Sequence, residues 1–112
     1  LHVPAIPSDI RHARYKFYAF VHHAALKPGW DRDRLIHAIN AEGVPCFYGS
    51  CSELYVEQAF RAAGLAPEEP LPVAHRLSGS SLMFPLHPTL AVDDMHSIGD
   101  AVAKVLAEAA AA

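Results

Sequence analysis

The sequence predicts a small α+β fold, a layered sandwich of about three strands with helices packed mainly on one face. Three observations predict it. Segments 14–23 and 81–86 alternate their side chains with the period of a strand. Three further segments carry apolar residues at helical spacing, and the first two stop at a glycine. With 112 residues, 52% hydrophobic and 19% charged, the chain can bury one core and is too apolar for disorder.

Residues 1–13, LHVPAIPSDIRHA, hold two prolines and no clear period. They are expected to be a linker or tail ahead of a domain spanning 14–112. Over Arg14–His23, Tyr15, Phe17, Ala19 and Val21 face one way, and Lys16, Tyr18, Phe20 and His22 face the other. Aromatics on both faces predict a strand that is central in its sheet or meets another domain on its second face. Pro28-Gly29 breaks the chain. Asp31 then suits a helix N-cap, Leu35, Ile36 and Ile39 form the apolar stripe, and Gly43 suits the stop.

The segment VPCFY (44–48) predicts a short second strand. Residues 50–64 predict a helix, with Ser50 and Glu53 spaced as a capping box. Tyr55, Val56, Ala59 and Phe60 are its apolar side, and Gly64 its end. APEEPLP predicts a loop, Val73–Leu77 a short helical turn, and SGSS (78–81) another turn. In the strand Ser81–Leu86, Pro85 has no N–H to donate and must lie at an edge or an end. His87-Pro88 then stops the ladder. Asp93 and Asp94 favour a helix N-terminus. Met95, Ile98, Val102, Val105 and Leu106 trace the buried side of the last helix. Gly99 weakens that helix by about 1 kcal/mol relative to Ala. Lys104 is expected to be solvated, and Ala109–Ala112 to fray.

Net charge is −3 and nothing basic clusters, so neither a nucleic-acid nor a membrane partner is expected. The apolar runs are too short to span a bilayer, and no secretory leader pattern is seen, so the expected location is cytoplasmic. The chain opens on Leu1, and a piece of a longer polypeptide is expected. Two cysteines, Cys46 and Cys51, are too few for a disulfide scaffold and predict reduced thiols. His22 and His23 are adjacent and point to opposite faces of a strand, and H-E-x-x-H is absent, so no metal is expected.

The turn Tyr48-Gly49-Ser50, between a strand and a helix, offers backbone N–H groups to a phosphate or hydroxyl; the plainer reading is an ordinary capped turn. His87, fixed in its corner, either bonds a ligand or braces the turn. Cys51 at a helix start is a candidate nucleophile, with a structural thiol as the plainer reading. G-x-G-x-x-G, Walker A and G-x-S-x-G are absent, and no catalytic residue is assigned.

In order and spacing, RYKFYAFV, WDRDRLIHAINAEGVPCFYGSCSELYVEQAF and SLMFPLHPTL resemble the C-terminal part of the DegT/DnrJ/EryC1/StrS sugar aminotransferases over about residues 14–109. The resemblance implies the C-terminal domain of a fold-type-I aminotransferase dependent on pyridoxal 5′-phosphate. Such enzymes move an amino group, usually from glutamate, to a keto sugar on a nucleotide, for lipopolysaccharide, capsule, glycan or antibiotic sugars. They are homodimers. A large N-terminal domain holds the cofactor and its Schiff-base lysine, and the small C-terminal domain closes the substrate cleft.

The lysine-bearing segment does not map onto these residues, so the chain alone is expected to bind no cofactor and to transfer no amino group. The resemblance turns CFYGS toward the cleft, which makes Tyr48 and Ser50 candidate sugar-nucleotide contacts and His87 a cleft or interface residue. Where relatives often read GETSL, this chain reads SGSSL at 78–82. Without the large domain, exposed apolar surface or self-association is expected. The alternatives are a freestanding α+β ligand-binding or interaction module and a structural remnant.

Overall fold

The computed structural model describes residues 1–50 and 53–111. Its elements are β1 (Lys16–Phe20), α1 (Arg32–Ala41), β2 (Phe47–Tyr48), α2 (Gln58–Ala62), α3 (Pro72–Ser80), β3 (Ser81–Pro85) and α4 (Val92–Ala109), with short 3₁₀ turns at His23–Ala25 and Leu54–Val56. The three strands form one antiparallel sheet in the order β1-β3-β2. Lys16 faces Pro85 and Phe20 faces Ser81 on one side of β3, while Phe47 faces Met83 and Tyr48 faces Leu82 on the other. The middle strand is therefore β3. β1, whose two aromatic faces suggested a central place, lies at an edge. At that edge His2 exchanges two 2.8 Å backbone hydrogen bonds with Phe20, which brings the otherwise irregular N-terminal residues alongside β1. Pro85 closes β3, where its missing N–H costs no further ladder bond.

Helices α1 and α4 pack on the face that carries Phe17, Ala19, Leu82 and Phe84. Leu35, Ile39 and Leu82 are fully buried there. Each such side chain contributes about 1.5–3 kcal/mol by leaving water. α1 forms where local signals predict it. Asp31 caps it by accepting a 2.8 Å hydrogen bond from the Arg34 N–H. Gly43, at φ +84°, takes the left-handed turn that stops it. In α4, Val102, Val105, Leu106 and Ala109 face the core, and the Asp94 carboxylate reaches back to the Ala91 N–H at 2.8 Å.

Four further expectations are corrected. The single helix over 50–64 is replaced by the turn Leu54–Val56, an extended Glu57 and the short α2. Ser50 and Glu53 do not form a capping box within the described residues, because the Ser50 hydroxyl is bonded to Tyr18 and the Glu53 carboxylate to Ser78, Tyr55 and His75. The turn predicted at SGSS is the last turn of α3, which runs directly into β3. Pro72 sets the entry of that helix, and Ser80 donates to the Arg76 carbonyl at 2.9 Å. The polyalanine end is tied down: Ala109 is fully buried and accepts from Lys27 N–H at 2.9 Å, and the Ala111 N–H donates to Ala25 O at 3.0 Å. Ala112 lies outside the described residues. Lys104 is exposed and also paired with Glu42 at 2.8 Å.

Large apolar side chains remain on the surface around the β2 edge and the turn beyond it, among them Phe47, Tyr48, Leu54 and Val56. No described helix is long and apolar enough to cross a membrane.

Candidate functional site

The CFYGS turn is built by a close approach of two strands. Gly49 N–H donates to Ser81 O at 3.3 Å, extending the β2–β3 pairing by one residue. A Cβ at Gly49 would fall 2.5 Å from Ser81 Cβ and 3.5 Å from the Tyr18 ring, so the turn requires glycine for space. Tyr18, on the opposite edge strand, reaches across β3 and shares a 2.5 Å hydroxyl–hydroxyl hydrogen bond with Ser50. Tyr48 lies on the other face of the sheet, the face it shares with Leu82. Its half-exposed ring is stacked under the Arg32 guanidinium, whose carbon is 4.6 Å from the ring centre. Arg32 is itself fixed by the Asp33 carboxylate at 2.8 Å and by the Ser78 carbonyl.

Ser50 and His87 stand on adjoining clefts. The first, about 520 Å³, is lined by Tyr18, Ser50, Arg14, Lys16 and His12, with Ile6 and Ile10 among its apolar walls. The second, about 610 Å³, holds His87 and Met95. His12, Arg14 and Tyr15 line both and so form the wall between them. His87 Nδ1 is 2.6 Å from Thr89 Oγ1, and its carbonyl accepts from Leu90 N–H, so the residue also braces its corner. The structure thus places Ser50 and His87 on either side of one short segment, and Tyr48 on the opposite face of the sheet.

Sequence reading did not single out Tyr18, Arg14 or Lys16. Arg14 has φ +48°, the left-handed region, which costs a non-glycine residue about 1–2 kcal/mol. Its N–H donates to His12 Nδ1 at 2.8 Å, leaving Nε2 to carry the imidazole proton. Its guanidinium lies 4.8 Å over the Phe17 ring. The available signal was local: the chain has no Asp or Glu between Asp9 and Asp31, while Arg11, Arg14 and Lys16 fall within six residues.

Behind the turn, Glu53 joins the following segment to α3. Its carboxylate accepts from Ser78 Oγ at 2.6 Å and Tyr55 OH at 2.9 Å and lies 3.0 Å from His75 Nδ1. The Ser78 hydrogen bond, with those of Tyr55 and His75, holds this carboxyl below the usual glutamate range against the opposing effect of burial. Tyr55 is pushed upward, first by burial and then by its bond to Glu53. Among the cysteines, Cys46 is free and buried, and burial pushes its thiol up to about 11. Cys51, the candidate nucleophile, lies outside the described residues. Among the described residues no three His, Cys, Asp or Glu side chains are grouped to share a metal ion.

No family profile and no curated protein matches the chain. Solved structures do. An aminotransferase from Psychrobacter cryohalolentis is 49% identical over 88% of this chain, with a TM-score of 0.82. A DegT DnrJ EryC1 StrS aminotransferase from Brucella abortus is 26% identical over 92%, with a TM-score of 0.70. The aminotransferase TlmJ from Streptoalloteichus hindustanus, 22% identical over 94% with a TM-score of 0.72, shares the fold. The chain spans about 25% of the length of each. The sheet, its two backing helices and the turn between β2 and the Glu53 segment define an aminotransferase C-terminal domain. Its structural neighbours are DegT/DnrJ/EryC1/StrS-type aminotransferases, each matched over about a quarter of its length, consistent with a C-terminal fragment.

Aminotransferases of this kind imply pyridoxal phosphate in the parent family. The described residues do not fit an anchor for it. Lys27 donates to the Glu108 carbonyl and Lys104 is paired with Glu42. Lys16 sits 5.3 Å over the exposed Tyr15 ring, with no described carboxylate in ion-pairing reach that could serve a pyridine nitrogen.

Proposed function

We propose that this chain is the cleft-closing domain of a pyridoxal-phosphate-dependent nucleotide-sugar aminotransferase. The parent enzyme would act as a cytoplasmic homodimer and transfer an amino group, from glutamate, to a keto sugar for surface polysaccharide or glycan synthesis. The observation that carries the reading is the 49% identity and 0.82 TM-score against the Psychrobacter aminotransferase, combined with a span of one quarter of its length. The cofactor supplies the electron sink of amino transfer and belongs to the missing larger domain.

This domain contributes shape and fixed polar contacts. Ser50 is oriented by Tyr18 toward the cleft, so it presents one rotamer there rather than several, while Tyr48 is held by Arg32 on the opposite face of the sheet. His87 is held at the strand end by Thr89. The exposed apolar side chains at the β2 edge are the surface on which the larger domain would rest.

The test is the gene product that contains this chain. Purified, it is expected to absorb as a bound pyridoxal phosphate and to aminate a keto-sugar nucleotide at the expense of glutamate. Ser50→Ala is expected to raise KM for the sugar nucleotide and leave KM for glutamate unchanged. A colourless product that transfers no amino group overturns the reading.

A further inference from the structure

Tyr48 precedes the Gly49-Ser50 turn and Glu53 follows it, and the contacts of both lead to Ser78. The Arg32 guanidinium that stacks on Tyr48 also donates to the Ser78 carbonyl. The Ser78 hydroxyl donates to the Glu53 carboxylate at 2.6 Å. The base of the turn is held by the same stretch of chain, because Gly49 N–H donates to Ser81 O and Ser81 follows α3 directly. Glu53 widens the grip. Tyr55 OH donates to its carboxylate at 2.9 Å and accepts from Leu71 N–H at 3.0 Å. His75 Nδ1 lies 3.0 Å from the same carboxylate, and an ionised carboxylate only accepts, so Nδ1 carries the proton. Leu71, His75 and Ser78 recur at helical spacing and share one face of α3.

Hydrophobic packing does not account for this arrangement. No described α3 residue belongs to the core cluster, and the residue that α3 buries is Ser80. The helix is joined to the flanks of the turn by polar bonds. Such bonds add little net stability, because the unfolded chain makes them with water, but they fix geometry. Neither Ser78 nor Glu53 lines the clefts on which Ser50 and His87 stand. Any effect they have on a ligand passes through the turn.

We infer that Ser78 is a positioning residue for the sugar-nucleotide site. Its carbonyl and hydroxyl hold the two flanks of the turn, and so keep Ser50 in the orientation that the Tyr18 bond completes. The inference rests on the sugar-nucleotide reading above and deepens it. A turn held before the ligand arrives spares the binding energy otherwise lost in ordering it. With one flank released, only a fraction of molecules present Ser50 correctly, and the apparent affinity falls by that fraction.

The experiment uses the gene product that contains this chain. Ser78→Ala removes the hydroxyl bond and keeps the carbonyl. Ser78→Thr keeps both. Val105→Ala, in the core and away from the turn, controls for lost stability. Affinity is read by calorimetry with uridine 5′-diphosphate and thymidine 5′-diphosphate, using whichever binds the wild type more tightly. The glutamate side is read from the spectral change that glutamate produces in the bound cofactor. Amide hydrogen exchange is followed by mass spectrometry over residues 47–50 and over α1 and α4.

Ser78→Ala is expected to weaken nucleotide binding about three- to tenfold. It should speed exchange over 47–50 and leave α1, α4 and the glutamate reaction unchanged. Ser78→Thr should restore affinity to within about twofold of the wild type. Glu53→Ala should weaken binding as Ser78→Ala does, and the double variant should be no worse than Glu53→Ala alone, because both remove one bond. Unchanged affinity in Ser78→Ala overturns the inference, as does equal weakening by Val105→Ala or a failure of Ser78→Thr to rescue. The two readings fail separately. If the wild type binds nucleotide and Ser78→Ala binds it equally well, the positioning role falls and the aminotransferase stands. If the wild type binds neither nucleotide, the sugar-nucleotide reading falls and takes the positioning role with it.

Discussion

Tyr18 and Ser50 lie 32 positions apart, on opposite sides of the central strand, and their hydroxyl oxygens approach to 2.5 Å. The contact spans β3 from one edge of the sheet to the turn beyond the other, so it couples the β1 edge to the CFYGS turn. Removing either hydroxyl alone leaves its partner to water. Tyr18→Phe and Ser50→Ala should therefore be non-additive, with a coupling energy of about 0.5–1.5 kcal/mol. Urea denaturation of the two single variants and the double variant measures it. Strict additivity would mean that the hydroxyls are not bonded in solution.

Gly49 makes that approach possible. Gly49→Ala would put a methyl 2.5 Å from Ser81 Cβ, inside two strands that cannot separate without breaking the Gly49 N–H to Ser81 O bond. A loss of about 1–3 kcal/mol is expected, as for other overpacked sites. Ser81→Gly placed in the Gly49→Ala background should recover part of it. A thermal melt that shows no such recovery would place the clash elsewhere.

Glu53 gives the domain an acid-sensitive joint. Its carboxyl is held below the ordinary value of 4.5, first by Ser78 and then by Tyr55 and His75. A carboxylate whose pKa falls on folding contributes stability that is complete above its unfolded value and is lost as pH falls through its folded value. The contribution is therefore full at neutral pH and fades below about pH 4.5. Denaturation midpoints taken from pH 6 down to pH 3 should fall more steeply for the wild type than for Glu53→Gln. Parallel curves would count against the joint.

Arg32 performs two tasks that a lysine cannot combine. It stacks on Tyr48 at 4.6 Å while its fork reaches Asp33 and the Ser78 carbonyl. Arg32→Lys keeps the charge and loses the plane and the fork. A destabilisation of about 1 kcal/mol is expected. Line broadening or averaging of the Tyr48 ring signals should accompany it. Unchanged ring signals would show that Tyr48 is held by something else.

How much of this was legible depended on how far apart the partners lie. α1 could be read because Asp31, Leu35, Ile39 and Gly43 are all local to it, and α4 for the same reason. The segment after β2 could not, because Glu53 is engaged by His75 and Ser78, 22 and 25 positions away, and a capping box is inferred only from neighbours. SGSS reads as a turn by composition, yet Ser78 and Ser80 bond back to the carbonyls of His75 and Arg76 and keep the helix going. The polyalanine end looks frayed until Lys27 and Ala25 are known to meet it. Within the site, the Tyr48-Gly49-Ser50 turn was visible as a turn. Arg14 and Lys16 were not, because charge summed over the whole chain hides a short basic stretch, and the cleft beside Ser50 exists only once the N-terminal segment is folded against it.

Cys46 should behave as a reporter of global unfolding. It is 1% exposed, its thiol is pushed up to about 11 by burial, and its backbone N–H and carbonyl are both bonded to the Asn40 side chain. Only the thiolate attacks alkylating reagents and disulfides, so a buried thiol raised this far is inert while the fold is closed. In a Cys51→Ser background, labelling of Cys46 by an aromatic disulfide reagent at pH 8 should proceed at the rate of global opening, and slow when the domain is stabilised. The Asn40 bonds sharpen the test. Asn40→Ala removes the amide that ties the end of α1 to the Cys46 backbone, and should raise the labelling rate at least tenfold, the effect of losing about 1.4 kcal/mol of buried hydrogen bonding. Rapid labelling of the parent protein in native buffer would mean that the strand β2 and its turn open independently of the core.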